Sequence, residues 1–137
     1  MTAYKGSMVL IKLGNGGEPE VFTTIGGLVD IRMRVNNDII ENSSCETDSW
    51  KSFLENAGSR VLTIAARGIF LDSTSEETLR SCAFGNNARH YRLYFGNGDY
   101  LQALFQINRY ERLAEQRDAE QYAITMQSSG NVVYVAS

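Results

Sequence analysis

The side chains best suited to chemistry are few, and their spacing does not predict a reactive centre. His90 is the single histidine, and Cys45 and Cys82 are the two cysteines. A histidine without a second histidine or a cysteine at ligand spacing does not indicate a metal site. Neither cysteine has a histidine base that the local sequence would supply. We therefore expect a structural His90, two reduced thiols and no catalytic residue, cofactor or metal.

Two glycine-rich segments, 14–17 and 96–99, contain Gly-Asn-Gly and resemble phosphate-binding loops. Such a loop requires a helix directly behind it and, for nucleotide hydrolysis, a lysine followed by serine or threonine. Both segments lie instead between alternating apolar runs, where Asn-Gly supplies the positive φ angles of a tight turn. We predict two hairpin turns.

A cluster of mixed charge lies between residues 109 and 120. A glycosidase needs two carboxylates that face each other across a pocket, and neighbours in sequence do not establish that. Such clusters are usually solvated surface or subunit contacts. The residues are Arg109, Glu111, Arg112, Glu115, Arg117, Asp118 and Glu120.

Length and composition indicate one domain, residues 1–137, with 43% hydrophobic residues and a formal net charge of −3. The negative charge argues against a free-standing nucleic-acid-binding protein, which needs a positive face. No apolar run approaches the roughly 18 residues of a membrane span, and the first residues lack the regions of a signal peptide. We expect synthesis in the cytoplasm and no membrane partner.

Strict alternation of apolar and polar residues dominates the first half and predicts strands with one buried face. The clearest strand runs from Leu28 to Asn36, and a second runs from Arg60 to Leu71. Residues 8–13 and 20–25 form two further strands, joined as a hairpin. In the strand at 28–36 the apolar face predicted to be buried comprises Val29, Ile31, Met33 and Val35, opposite Asp30, Arg32 and Arg34.

The second half repeats this pattern. A hairpin is predicted from residues 91–95 and 101–107, followed by a strand at 122–126, a turn at 128–131 and a last strand at 132–135. Seven or eight short strands separated by turns imply a β-sandwich or partial barrel.

Three further segments interrupt the strands. Ser73 and Glu76 have capping-box spacing and predict a helix of about ten residues that Gly85 ends. Asp48 is a candidate cap of a shorter helix, whose Trp50, Phe53 and Leu54 would dock onto the sheet. The preceding polar stretch, 36–49, is too long for a hairpin turn and is a candidate contact arm.

Several short motifs, in this order along nearly the whole chain, resemble the major tail proteins of long-tailed bacteriophages, a group that includes the tail tube proteins of gene transfer agents. The family typically has a leucine-x-x-alanine-glycine turn, a glycine-x-phenylalanine-x-aspartate strand end and a serine-x-glycine near its C-terminus. The matching segments here are 5–6, 9–12, 22–28, 49–50, 54–60, 68–72, 105–107 and 126–130.

The resemblance implies a mainly β protein, a β-sandwich or partial barrel of seven or eight strands with one flanking α-helix and a long polar arm loop. It implies a structural virion protein, not an enzyme. Six copies would form a ring, and the rings would stack into the tail tube through which a phage or gene transfer agent particle delivers DNA. Its partners would be further copies, the tape measure, tail terminator and baseplate hub proteins, and DNA that passes without specific binding.

Two sets of residues follow as expectations. The inter-subunit arm would comprise Asn36, Asn37, Asp38, Ile39, Ile40, Glu41 and Asn42. Neutral amides would slide past phosphates without the affinity that lysine or arginine creates. The channel would therefore be lined by Gln102, Gln106, Asn108, Thr125 and Gln127, although the charged face of the strand at 28–36 is an alternative lining.

Two other functions stay open on the sequence. One is a secretion-system tube protein of similar fold. The other is a small-ligand-binding β-barrel, or an enzyme built on one, which a closed apolar pocket with converging polar groups would favour.

Overall fold

The computed structural model describes residues 3, 5, 9–17, 19–41, 50–55, 58–71, 74–114 and 119–136. Strands dominate this part of the chain, with one helix, and the predicted mainly β class is confirmed. The elements are β1 (Leu10–Gly14), β2 (Phe22–Thr24), β3 (Leu28–Asn37), β4 (Ile40–Glu41), β5 (Phe53–Leu54), β6 (Arg60–Ile69), α1 (Thr74–Gly85), β7 (Ala88–Tyr94), β8 (Tyr100–Leu113) and β9 (Gln121–Val135).

Seven strands form one antiparallel sheet in the order β2-β1-β7-β8-β9-β6-β3, which leaves β2 and β3 at its ends. The two central strands, β8 and β9, are the longest and carry two register shifts where they pair with each other. β7 pairs with β8 only as far as Gln106, and β6 pairs only with residues 121–127 of β9. The sheet therefore divides into two halves that share β8 and β9, as in a β-sandwich.

We call these two halves the β3 half-sheet and the β1 half-sheet. The β3 half-sheet contains β3, β6, the first part of β9 and residues 107–113 of β8. The β1 half-sheet contains β2, β1, β7, the first part of β8 and residues 132–135 of β9. Register shifts allow a strand to bend, so one pair of strands can serve both halves.

One hydrophobic core lies between the half-sheets. The alternation predicted for β6 is confirmed, because Leu62, Ile64, Ala66 and Gly68 are buried while Arg67 is exposed. Both half-sheets contribute large buried side chains, and α1 adds Leu79 and Cys82. The core comprises Ile11, Leu13, Ile25, Leu62, Ile64, Ala66, Leu79, Cys82, Tyr91, Leu93, Leu101, Ala103, Phe105, Ile107, Tyr122, Ile124 and Met126.

Helix α1 is held at both ends by polar contacts. The buried Glu76 carboxylate accepts a hydrogen bond from the Leu71 N–H at 2.9 Å, and Ser75 Oγ donates to the Thr24 carbonyl at 3.2 Å. At the other end Asn86 adopts a left-handed φ of 55° and the Asn87 N–H bonds to the Cys82 carbonyl, which is a Schellman-type end. The predicted helix is confirmed, and the proposed cap Ser73 lies outside the described residues.

Two predictions about secondary structure are wrong. Residues 53–54 form β5, paired with β4, and Trp50 is 79% exposed. The predicted short helix with a docked Trp50 is therefore absent from the described residues, and Asp48 lies outside them. Residues 128–131 do not reverse the chain, because they bulge within β9, which continues to Val135.

The hydroxyl of Tyr91 has no hydrogen-bond partner among the described residues, although the ring is 1% exposed. Burial raises the pKa of this phenol, so the group stays neutral. An unsatisfied buried polar group destabilises a fold by about 1–3 kcal/mol. We expect Tyr91→Phe to raise the free energy of unfolding by up to about 1 kcal/mol in urea titrations, given a well-packed ring.

The matched control is Tyr122→Phe, because the Tyr122 hydroxyl donates to the Gly26 carbonyl at 3.4 Å. This substitution should lower the free energy of unfolding by about 0.5–1.5 kcal/mol. Equal losses in both variants would show that the Tyr91 hydroxyl makes a stabilising contact.

Candidate assembly surfaces

The described side chains that could be reactive, His90 and Cys82, lie where a structural role explains them. His90 Nδ1 lies 3.3 Å from Glu20 Oε1, and the other Glu20 oxygen accepts the Gly16 N–H. Burial raises the pKa of the Cys82 thiol, which suppresses thiolate reactivity, and Cys45 lies outside the described residues. In the part of the chain that the structure describes, no group of three or more His, Cys, Asp or Glu residues can hold a metal ion.

Both glycine-rich segments are hairpin turns, as predicted. Asn15 Oδ1 accepts the Gly17 and Val21 N–H groups between β1 and β2. The turn between β7 and β8 is closed by the Phe95 N–H, which donates to the Asp99 carbonyl at 2.9 Å. Backbone N–H groups that would have to bind a phosphate already donate hydrogen bonds within these turns. None of the helices described here is long and apolar enough to span a membrane.

The β3 half-sheet has two strand edges that pair with no other described strand. β3 pairs with β6 on one side only. Residues 107–113 of β8 pair with β9, while β7 stops at Gln106. A monomer usually protects a long strand edge with lysine, proline or a covering element. Two open edges of one half-sheet are therefore candidate assembly surfaces.

The apolar face of β3 is buried only in part: Ile31 is half-buried and packs against the core, as predicted, but the other three residues of that face are not buried. Met33 pairs with the buried Ile64 and lies on the core side of the sheet, yet Met33, Val29 and Val35 are exposed, Val35 by 53%. This end strand has a neighbour on one side only, and the β1 half-sheet does not fully cover it. Alternation predicts the two faces of a strand but not what covers them.

A groove of about 460 Å³, with both apolar and polar walls, opens beside residues 33–35 of β3. Its walls come from both half-sheets, so it is a gap at the margin of the core. The apolar and aromatic residues that line it are Met33, Val35, Val61, Leu62, Leu101, Val132 and Tyr134, and its polar residues are Arg60, Ser128 and Asn131.

The predicted channel-lining residues share one face of the sheet but not one half-sheet. Gln106 pairs with Gln127, and Thr125 pairs with Arg109, on the face opposite Met126 and Ile124. The two remaining residues are placed differently. Gln102 lies in the β1 half-sheet and accepts a hydrogen bond from Arg92 Nε at 2.8 Å, whereas Asn108 occupies a register shift.

Arginines also occupy this face, and two of them, Arg67 of β6 and Arg109 of β8, were not among the residues predicted for the channel. Arg67 pairs with Asp30, and Arg109 pairs with Glu111, so both cations are neutralised within the subunit. The pairs are more than half exposed and contribute at most about 1 kcal/mol each. The two arginines of β3, Arg32 and Arg34, lie on the same face, in register with Thr125 and Gln127 across β6, and are exposed. The charged face of β3 is thus part of the same surface as the predicted amide lining.

The predicted arm begins as a paired strand. Asn36 and Asn37 belong to β3 and pair with Val61 and Arg60, which corrects the start of the polar loop. The Asp38 N–H donates to the Ser59 carbonyl. Beyond them, Ile40 and Glu41 pair with Leu54 and Phe53. Ile39 is exposed as well, and Asn42 lies outside the described residues.

Comparisons with known proteins agree with this architecture. The chain is similar to the tail of an empty gene transfer agent particle refined with C6 symmetry, at 27% identity and TM-score 0.89, over 98% of this chain and all of that one. A native gene transfer agent virion gives 26% identity and TM-score 0.87, with 98% and 100% covered. A comparison with curated protein sequences finds no match.

The SPP1 tail tube has the same fold, at 10% identity and TM-score 0.76, with 98% of this chain and 80% of that chain covered. A family model described as phage tail tube protein matches residues 3–134, which is nearly the whole chain. The open strand edges, the two half-sheets and this match lead to one conclusion: the chain belongs to the phage tail tube protein family.

Proposed function

We propose that this protein is a structural subunit of the virion, with no enzymatic role, and that six copies form a ring that stacks into the tail tube of a phage or gene transfer agent particle. The observation that carries the proposal is the pair of open edges on one half-sheet. It is supported by the similarity to a tail refined with C6 symmetry. The tube would be a conduit for DNA and would meet other tail proteins at its ends.

The ring would close by pairing β3 of one copy with residues 107–113 of β8 of the next. Within the sheet β3 is antiparallel to β6, β6 to β9, and β9 to β8. A neighbouring β8 beside β3 would therefore continue an unbroken antiparallel sheet. The two edges differ, and such heterologous contacts generate closed rings when the rotation closes.

The channel would be lined by the face of the β3 half-sheet that points away from the core. Thr125 and Gln127 lie on this face, and Gln106 lies at its border with the β1 half-sheet. The ion pairs of Arg67 and Arg109 on the same face reduce the charge available to phosphate. Gln102 would then lie outside the channel, on the β1 half-sheet.

The arm would reach a neighbouring copy or the next ring. Its paired base, residues 36–41 with 53–54 and 59–61, extends the β3–β6 hairpin beyond the core, and its apolar side chains Ile39, Ile40, Phe53 and Leu54 are exposed. Exposed apolar residues on a projecting hairpin are typical of an interaction site.

The test of assembly is a concentration series of the purified protein, measured by light scattering and imaged by negative-stain electron microscopy. We expect six-membered rings or tubes. A protein that stays monomeric at high concentration, and is not found in tails of purified particles, would contradict the proposal.

A second prediction tests the channel lining. Replacing Thr125 and Gln127 with lysine should leave tubes intact but slow DNA ejection, because each added cation near the path of DNA creates a salt-sensitive phosphate contact. The control is Val21→Lys, in an exposed segment before β2. Loss of rings in the double-lysine variant would instead place these residues in a subunit interface.

A further inference from the structure

Phe84, near the C-terminal end of α1, is a large apolar side chain that the subunit leaves mostly exposed. It is 79% exposed, although its ring centroid lies 6.2 Å from that of Tyr110 in β8. Tyr110 pairs with the buried Ile124, so Phe84 lies on the core side of the β3 half-sheet. The neighbouring edge, residues 107–113, is the one that carries Tyr110.

The groove lies at the opposite edge of the same half-sheet. The order β3-β6-β9-β8 places β3 and β8 at its two ends. Met33 and Val35, which line the groove, pair with the buried Ile64 and Leu62 and lie on the core side as well. The chain thus has an exposed aromatic residue at one edge and, at the other, a groove with an apolar wall formed by Met33 and Val35, on the same side of the sheet.

We propose that Phe84, at the end of α1 in one copy, docks into the groove beside β3 of the adjacent copy. This inference rests on the ring proposed above. If β8 of the next copy lies beside β3, then α1 of that copy, which packs on its own β8, continues over the core side of β3. The occupant of the groove is therefore a second copy of this chain.

The area that a stable interface requires is a second argument for the same occupant. A stable interface buries about 800 Å² on each partner, and pairing of the β3 edge with residues 107–113 of β8 would bury mainly backbone. The groove adjoins the β3 edge, and removing its apolar side chains, such as Met33 and Val35, from water is favourable. A helix end with an exposed phenylalanine supplies apolar surface that the edge pairing lacks. Phe84 would complete a core that the single subunit leaves open at this margin.

Disulfide trapping tests the contact in the assembled protein. In a Cys45→Ser background, Phe84→Cys is combined in turn with Met33→Cys, Val35→Cys or Val132→Cys, and assembled protein is oxidised. We expect at least one pair to give linked species larger than a dimer on a non-reducing gel, up to six chains. Such a ladder requires a head-to-tail contact, because a two-fold contact would stop at the dimer.

The control pair is Phe84→Cys with Val21→Cys, which should give no ladder. As a second measurement, Phe84→Asp should leave the subunit folded and reduce ring formation at least tenfold, while Val21→Asp assembles like the original chain. Both positions are exposed, so the two variants introduce the same carboxylate at different sites on the surface.

The outcomes separate this contact from the proposed function. Rings that form without a ladder from any groove position, together with normal assembly of Phe84→Asp, would overturn the docking of Phe84 and leave the tube intact as a proposal. A ladder without rings would support the contact and contradict the ring. Absence of both rings and ladder would contradict both.

Discussion

Proline at one of two adjacent positions of β3 should abolish rings and tubes while the subunit stays folded. Backbone N–H groups along a strand point alternately to its two neighbours, so either Arg32 or Met33 directs its N–H to the open edge and the other to β6. Proline removes the N–H, and its ring blocks a strand that approaches from that side. We therefore expect one of Arg32→Pro and Met33→Pro to lower the free energy of unfolding, because it breaks the pairing with β6. The other should keep the stability of the original chain but form no rings. Urea unfolding and imaging measure the two effects.

The matched controls are Arg32→Ala and Met33→Ala, which remove the side chains and keep the backbone donors. We expect both alanine variants to fold, and the proline variant with the stability of the original chain to fail in assembly. Normal tubes from that folded proline variant would show that β3 does not pair with another copy.

Truncation of Phe105 should produce the largest loss of stability. Phe105 is 0% exposed, and its ring meets Tyr91 edge-on at a centroid distance of 6.0 Å. Phe→Ala changes in a core typically cost about 3–5 kcal/mol, against a total stability of about 5–15 kcal/mol for a native domain. We expect Phe105→Ala to be partly or largely unfolded at 37 °C, as measured by circular dichroism and urea titration.

Phe84→Ala is the matched control, because the same side chain is removed from an exposed position. The free energy of unfolding of the isolated subunit should change by no more than about 0.5 kcal/mol. A loss below about 1 kcal/mol for Phe105→Ala would mean that the core closes around the cavity or that this ring is not part of the core.

Local pattern predicted most strands because their two faces differ. In β6 and in the first part of β8, apolar residues alternate with polar ones, and the structure buries the apolar set as expected. The hairpin turns at 14–17 and 96–99 and helix α1 were also predictable, since glycine, asparagine and capping residues act over a few neighbouring positions.

The errors come from information that is not local. Trp50, Phe53 and Leu54 have helical spacing, but pairing between β4 and β5 overrides this preference. Ser128 to Asn131 have turn composition, yet β9 pairs with the same strand, β8, on both sides of this segment, so the chain does not reverse there. For β3, burial of its apolar face depends on a neighbouring layer, which alternation along one strand does not reveal.

The candidate site was predictable only in part. Thr125 and Gln127 were expected on a polar face, and they lie on one. The open edge of β8 was not foreseeable, because it exists only where β7 ends at Gln106. The groove and the exposed Phe84 likewise depend on how the two half-sheets meet.

The position of β8 and β9 has a consequence for the order of events during synthesis. These strands occupy the middle of the sheet, although they follow the other seven strands in the sequence. β1 cannot pair with β7 until some 80 further residues have been synthesised, and β6 cannot pair with β9 until the end of the chain has been made. A nascent chain can form the β3–β6 hairpin, but it lacks the strand that would present the complementary edge. If rings close through β3 and β8 as proposed, a ribosome-bound or truncated chain that lacks β8 cannot propagate a tube.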